Sequence, residues 1–151
     1  MLGPYERALD QIVWTLSGVI SPRAACLTAQ FMGTGPRFKT ITAQLHLRKV
    51  SEPEFEKYIS KINKIMTDTH APQEIRNRVI HDAWFVDTNR DEPGQFRTWP
   101  YKDLVFGLRK IDIARIEKMI EQTKTLTTKT TALYEKINAD VATSLQRRRR
   151  G

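Results

Sequence analysis

The chain has 151 residues, enough for one domain with a real core, and its 40% apolar and 28% charged residues are those of an ordinary soluble protein. Its single cysteine, Cys26, excludes an intrachain disulfide or a cysteine cluster for zinc and points to a cytoplasmic setting; no signal peptide is evident, and no uncharged run approaches the ~20 residues needed to span a bilayer. The formal charge of +8 invites a nucleic-acid reading, yet Arg147 to Arg150 supply four of those charges and leave the body at only +4.

Hydrophobic periodicity predicts an all-α helical bundle with a small β-hairpin insertion before a long C-terminal helix. The expected organisation is one domain over residues 1–146 and a basic tail over 147–151. Residues 4–20 make the first helix: Pro4 suits its start, and Tyr5, Ala8, Leu9, Ile12, Val13, Leu16, Val19 and Ile20 fall on one stripe. Trp14 points the other way, among Arg7, Asp10 and Gly18, and either covers a neighbouring loop or anchors a subunit contact. Ser21-Pro22 opens a second helix to about Met32, with Ala24, Leu27 and Phe31 inward. Gly33-Thr34-Gly35-Pro36 breaks the chain, and it is no phosphate-binding loop because Phe38, not glycine, precedes Lys39.

A third helix, about 36–49, turns Phe38, Ile41 and Leu45 inward and leaves His46 at the surface. Ser51 and Glu54 read as a capping box for a fourth helix to about Asp68, striped by Phe55, Tyr58, Ile59, Ile62, Ile65 and Met66. Thr69-His70-Ala71 forms the joint to a fifth helix over 72–84, begun by Pro72 and flanked on its apolar side by Ile75, Val79, Ile80 and Ala83. Residues 85–101 read as a loose hairpin with a long polar turn from Thr88 to Gly94, and Pro100 restricts its strand to an edge position. Leu104-Val105-Phe106 is a short apolar link, a candidate third strand. From about Ile111 a long helix runs through Ile113, Ile116, Met119, Ile120, Leu133, Ile137, Val141 and Leu145, weakened by a threonine-rich middle. The terminal arginines either form a solvated tail suited to a helix C-terminus or hold phosphates without sequence preference.

The chemistry-bearing stretch is Glu74-Ile-Arg-Asn-Arg-Val-Ile-His-Asp-Ala-Trp84. Asn77 and His81 stand one helical turn apart, Trp84 shares their sector, and the long Arg76 side chain can reach a group bound beside His81. An imidazole moves protons near neutral pH and a guanidinium holds phosphate oxygens, as attack at a phosphodiester needs. The stretch resembles the R-N-x-x-x-H signature of HEPN domains, small all-helical domains many of which are metal-independent ribonucleases. Arg76, Asn77 and His81 match its positions. One subfamily carries a tyrosine two residues after the histidine that a partner enzyme nucleotidylates; here that position is Ala83, which offers no acceptor.

The resemblance implies a homodimer in which Arg76 and His81 of both copies line one cleft, and RNA cleavage by 2′-OH transesterification without metal or cofactor. It also implies a toxin or antiviral-defence role, with an antitoxin or other regulatory protein as a possible partner. Arg78, Arg97, Arg147 and Arg148 are the candidate phosphate contacts, and Trp84 and Trp99 the candidate stacking surfaces beside Phe85, Phe96 and Tyr101. The alternative is a non-catalytic helical dimer that binds RNA or a protein partner. There Arg78 and Asp82 form a surface pair and Asn77 and His81 a helix-surface hydrogen bond.

Overall fold

In the computed structural model, which describes residues 3–19, 21–81, 83–87, 92–101, 103–110 and 112–150, five α-helices and one three-stranded antiparallel sheet are formed. This is the expected helical architecture with an inserted hairpin, extended by a third strand. The chain gathers into two compact units, Met1–Thr69 with Thr123–Gly151, and His70–Gln122. No helix among the described residues is long and apolar enough to cross a membrane.

In the first unit, α1 (Pro4–Ser17) stops three residues short of the expected end because Gly18 takes a left-handed conformation at φ 64° and returns its N–H to the Thr15 carbonyl. Its predicted stripe is buried from Tyr5 to Leu16. The second helix, α2 (Ser21–Thr28), is also shorter than expected. So short a helix buries only a narrow stripe: Ala24 and Thr28 are buried, Phe31 packs partly against the core, and Leu27 is exposed, contrary to expectation. The Trp14 indole donates to Thr28 Oγ1 at 3.1 Å, which explains an aromatic ring on an otherwise polar face. Helix α3 (Thr34–Ser51) buries Phe38, Ile41 and Leu45 as predicted.

The capping box at Ser51 does not form. Ser51 ends α3, its hydroxyl turned back to the Arg48 carbonyl, and a 3₁₀ turn at Pro53–Phe55 separates it from the next helix. That helix, α4 (Glu56–His81), runs unbroken through the predicted joint at Thr69-His70-Ala71 and through Pro72. Proline lacks the N–H that would bond the Asp68 carbonyl, a loss that ordinarily ends or kinks a helix. Tertiary anchoring outweighs it here. Ile62, Ile65 and Thr69 are buried, and Thr69 donates its hydroxyl to the Ile65 carbonyl at 2.7 Å while accepting from the Tyr5 hydroxyl at 2.5 Å. His70, expected in a turn, is an exposed helical residue.

Helix α5 (Ile113–Arg150) spans 38 residues, or about 57 Å. Its threonine-rich middle does not break it: Thr127, Thr128 and Thr130 each bond the carbonyl four residues back, and Leu126 and Thr130 are buried there. Leu126, Leu133, Ile137 and Val141 enter the core, whereas Leu145, expected on the same stripe, is half exposed. The core joins these residues to the stripes of α1, α3 and α4.

A buried ion pair lies beside this core. Arg37 is fully buried and so is Asp10, which the apolar pattern of α1 had left on the polar side. Arg37 Nε and Nη2 donate to the two carboxylate oxygens at 2.8 and 3.3 Å, and Nη1 donates to the carbonyls of Phe31 and Gly33 at 3.0 and 2.6 Å. The left-handed Gly33, φ 75°, turns the α2–α3 loop toward the guanidinium.

In the second unit the last turns of α4 lead into β1 (Ala83–Asp87), β2 (Glu92–Tyr101) and β3 (Asp103–Lys110), in that spatial order. Pairing of Asp87 with Glu92 shortens the expected turn, most of which lies outside the described residues. Strand β2 is central, but β1 covers it only from Glu92 to Phe96, so Pro100 pairs on the β3 side alone and occupies a local edge as predicted. At the start of α5, Met119 is buried while Ile113 and Ile120, expected on its apolar stripe, are exposed.

Two outcomes are expected. Asp10→Ala leaves a buried guanidinium unpaired and should lower unfolding free energy in urea by about 3–5 kcal/mol. Burial pushes the Tyr5 phenol up to about 12 from its ordinary 10. Folding therefore favours the neutral phenol, and its contribution is complete below pH 10 and lost as pH rises toward 12. Denaturation of wild type and Tyr5→Phe across that window should show the wild type losing on the order of 2–3 kcal/mol more.

Candidate functional site

The last turns of α4 carry Arg76, Asn77, Arg78 and His81, and the helix ends at His81 rather than Trp84. Asn77 and His81 thus keep their one-turn separation on a single helix, and the side chain of His81 lies outside the described residues. Arg76 and Asn77 are exposed, and Arg76 Nη1 donates to Asn77 Oδ1 at 3.4 Å. The arginine and amide of the motif are therefore brought together at the surface.

Arg78 forms an ion pair with Glu74 one turn earlier. The anticipated partner of Arg78, Asp82, lies outside the described residues. Ala83 and Trp84 belong to β1, so Trp84 does not share a helix face with Asn77 and His81. Strand pairing decides this: Ala83-Trp-Phe-Val-Asp lies against Phe96–Glu92 of β2, and ladder hydrogen bonds replace a further helical turn. The Trp84 indole N–H donates to the Val79 carbonyl at 2.8 Å, satisfying one of the carbonyls that a helix C-terminus leaves open. Its ring remains 47% exposed.

The backbones of Arg97 and Trp99 pair with Gly107 and Val105 of β3, and their side chains lie outside the described residues, as do those of Phe85, Phe96 and Tyr101. Arg147 and Arg148 belong to the other compact unit. They are helical rather than frayed: α5 continues to Arg150, Arg148 Nη2 meets Glu52 Oε1 at 2.7 Å, and Arg147 Nη1 lies 3.7 Å from Glu54 Oε1. Guanidinium groups at a helix C-terminus also complement its partial negative charge.

No family model, curated protein or solved structure matches the chain. The site is therefore read from its own chemistry. An exposed guanidinium and amide can hold a phosphodiester oxygen, and an imidazole one turn away from the amide can exchange a proton with a group bound there. A second basic cluster, Lys61, Lys64, Lys129 and Lys136, was not anticipated. The lysine spacing on each helix was visible in the sequence, but which α5 lysine opposes which α4 lysine depends on helix register.

Replacing Trp84 by phenylalanine removes the indole donor but keeps an aromatic ring. Stability should fall by about 0.5–1.5 kcal/mol, the ordinary worth of one hydrogen bond, with faster hydrogen–deuterium exchange confined to the end of α4 and the start of β1.

Proposed function

We propose that this protein is a metal-independent endoribonuclease in which Arg76, Asn77 and His81 act together in a cleft completed by a second copy of the chain. The observation that carries the reading is the exposed Arg76–Asn77 contact on the helix that also bears His81 one turn further on. In the proposed reaction the 2′-oxygen of RNA attacks the adjacent phosphorus and the bond to the 5′-oxygen breaks. His81 takes the 2′-hydroxyl proton or supplies one to the leaving oxygen, Arg76 stabilises charge on the phosphorane, and Asn77 orients the imidazole or holds the phosphate. The products carry a 2′,3′-cyclic phosphate and a 5′-hydroxyl. DNA, which lacks the nucleophile, resists cleavage. A toxin or defence role with a regulating partner extends the same reading.

A second reading, a non-catalytic helical dimer that binds RNA or a protein, draws on the engagement of Trp84, Arg78 and Arg148 in local contacts that a scaffold would also use. The test is cleavage of RNA by purified protein in EDTA, with the oligomeric state of each variant checked. His81→Ala should reduce the rate by ~10²–10⁴-fold, and the wild-type rate should follow a group titrating near neutrality. Equal rates in wild type and His81→Ala rule out the assigned role, and absence of cleavage in both favours the binding module.

A further inference from the structure

Helices α4 and α5 pair antiparallel within the first unit, and two charge contacts set their register. Lys57 Nζ meets Asp140 Oδ2 at 2.7 Å, where the Tyr58 hydroxyl also donates at 2.8 Å, and Lys129 Nζ lies 4.0 Å from Asp68 Oδ2. The Lys57 ammonium holds the Asp140 carboxyl below the usual carboxylate range. The pairs are equally spaced on both helices, from 57 to 68 and from 129 to 140. The same register therefore sets Lys61 opposite Lys136.

Opposite charges thus close both ends of the seam, while like charges face each other between them. There Lys61, Lys64 and Lys136, with the Lys129–Asp68 pair at one end, line a cleft of about 320 Å³ floored by Ile65, Ala132 and Leu133. Among the described residues, no carboxylate lies within 4 Å of these three ammonium groups. An apolar floor between two basic rims needs an occupant with an apolar ridge and acidic flanks.

We propose that this cleft docks an acidic amphipathic helix of a partner protein, with its aliphatic side chains on Ile65, Ala132 and Leu133 and its carboxylates on Lys61 and Lys136. Groove binding of this kind uses side chains repeated every three or four residues. On this chain Lys61 and Lys64 stand about one turn apart on the α4 rim, a spacing that carboxylates at i and i+3 of a partner helix reproduce. An RNA strand would satisfy the lysines but not the floor, which offers neither an aromatic ring for stacking nor an amide for base edges. A fatty acid would fill the floor but brings one carboxylate to ammonium groups on both rims. The site lies in the first unit and does not rest on the nuclease reading.

The experiment titrates full-length protein into three dye-labelled peptides of three heptads each and follows fluorescence anisotropy. One peptide carries leucine at a and d with flanking glutamates, one has lysine in place of each glutamate, and one is a scramble of the first. The glutamate peptide should bind more tightly than the other two. Lys61→Glu/Lys136→Glu should weaken it about tenfold or more and should gain affinity for the lysine peptide, a swap that a damaged fold cannot produce. The neutral Lys61→Gln/Lys136→Gln variant should fall between. Equal binding of glutamate and scrambled peptides, or no swap, overturns the proposal. So does loss of oligouridylate RNA binding, in place of peptide binding, in the charge-reversed variant.

Discussion

The buried Arg37–Asp10 pair is the constraint on which the helical unit depends. A guanidinium withdrawn from water is tolerable only when its donors find acceptors at good geometry, and this one engages both oxygens of Asp10 and two loop carbonyls. Those acceptors come from α1 and from the α2–α3 loop, so satisfying one side chain fixes how both meet the start of α3. A slip of α1 along α3 would leave a buried charge unpaired, so the pair holds the two helices in register.

From that platform the two long helices are placed by similar means. Tyr5 reaches from α1 to Thr69 on α4, and Lys57 and Tyr58 on α4 reach Asp140 on α5. Each polar contact occurs beside apolar packing that supplies most of the burial: Phe55, Tyr58, Ile62 and Ile65 from α4, Leu133, Ile137 and Val141 from α5. Packing supplies the drive to associate, and the hydrogen bonds supply register. The same anchoring carries α4 past Pro72, so the motif stands at the end of a 26-residue helix rather than on a separate short one.

The charge of the protein is organised more narrowly than its total of +8 implies. Arg148 and Arg147 at the end of α5 lie against Glu52 and Glu54 from the α3–α4 junction, and Arg78 lies against Glu74. These contacts turn cations that looked free in the sequence toward carboxylates of the same chain. Among the described residues, Arg76 beside Asn77 in one unit and the facing lysines of the α4–α5 seam in the other lie within ion-pair reach of no carboxylate of the chain.

Much of this was written in local sequence. The stripes of α1, α3, α4 and the later part of α5, the break at Gly33, and the sheet after the motif follow from periodicity and turn chemistry, which act over a few residues. The spacing of Arg76, Asn77 and His81 is equally local, since one helical turn relates Asn77 to His81 in any helix that contains them. The continuity of α4 through Pro72 was not legible, because burial of Thr69 and Ile65 against other helices overrides a local penalty. The removal of Trp84 from the motif helix was not legible either, because its partner residues lie across a strand pairing. Asp10 read as a surface acid until Arg37, distant in sequence, was packed against it. Lys61 and Lys136 lie far apart in sequence, and only the antiparallel register of α4 and α5 opposes them. Sequence alone therefore determined the helices, the sheet and the candidate motif, whose causes are near neighbours. Tertiary structure alone decided which charges are buried, paired or opposed, because a charge takes its energy from whatever the fold brings to it.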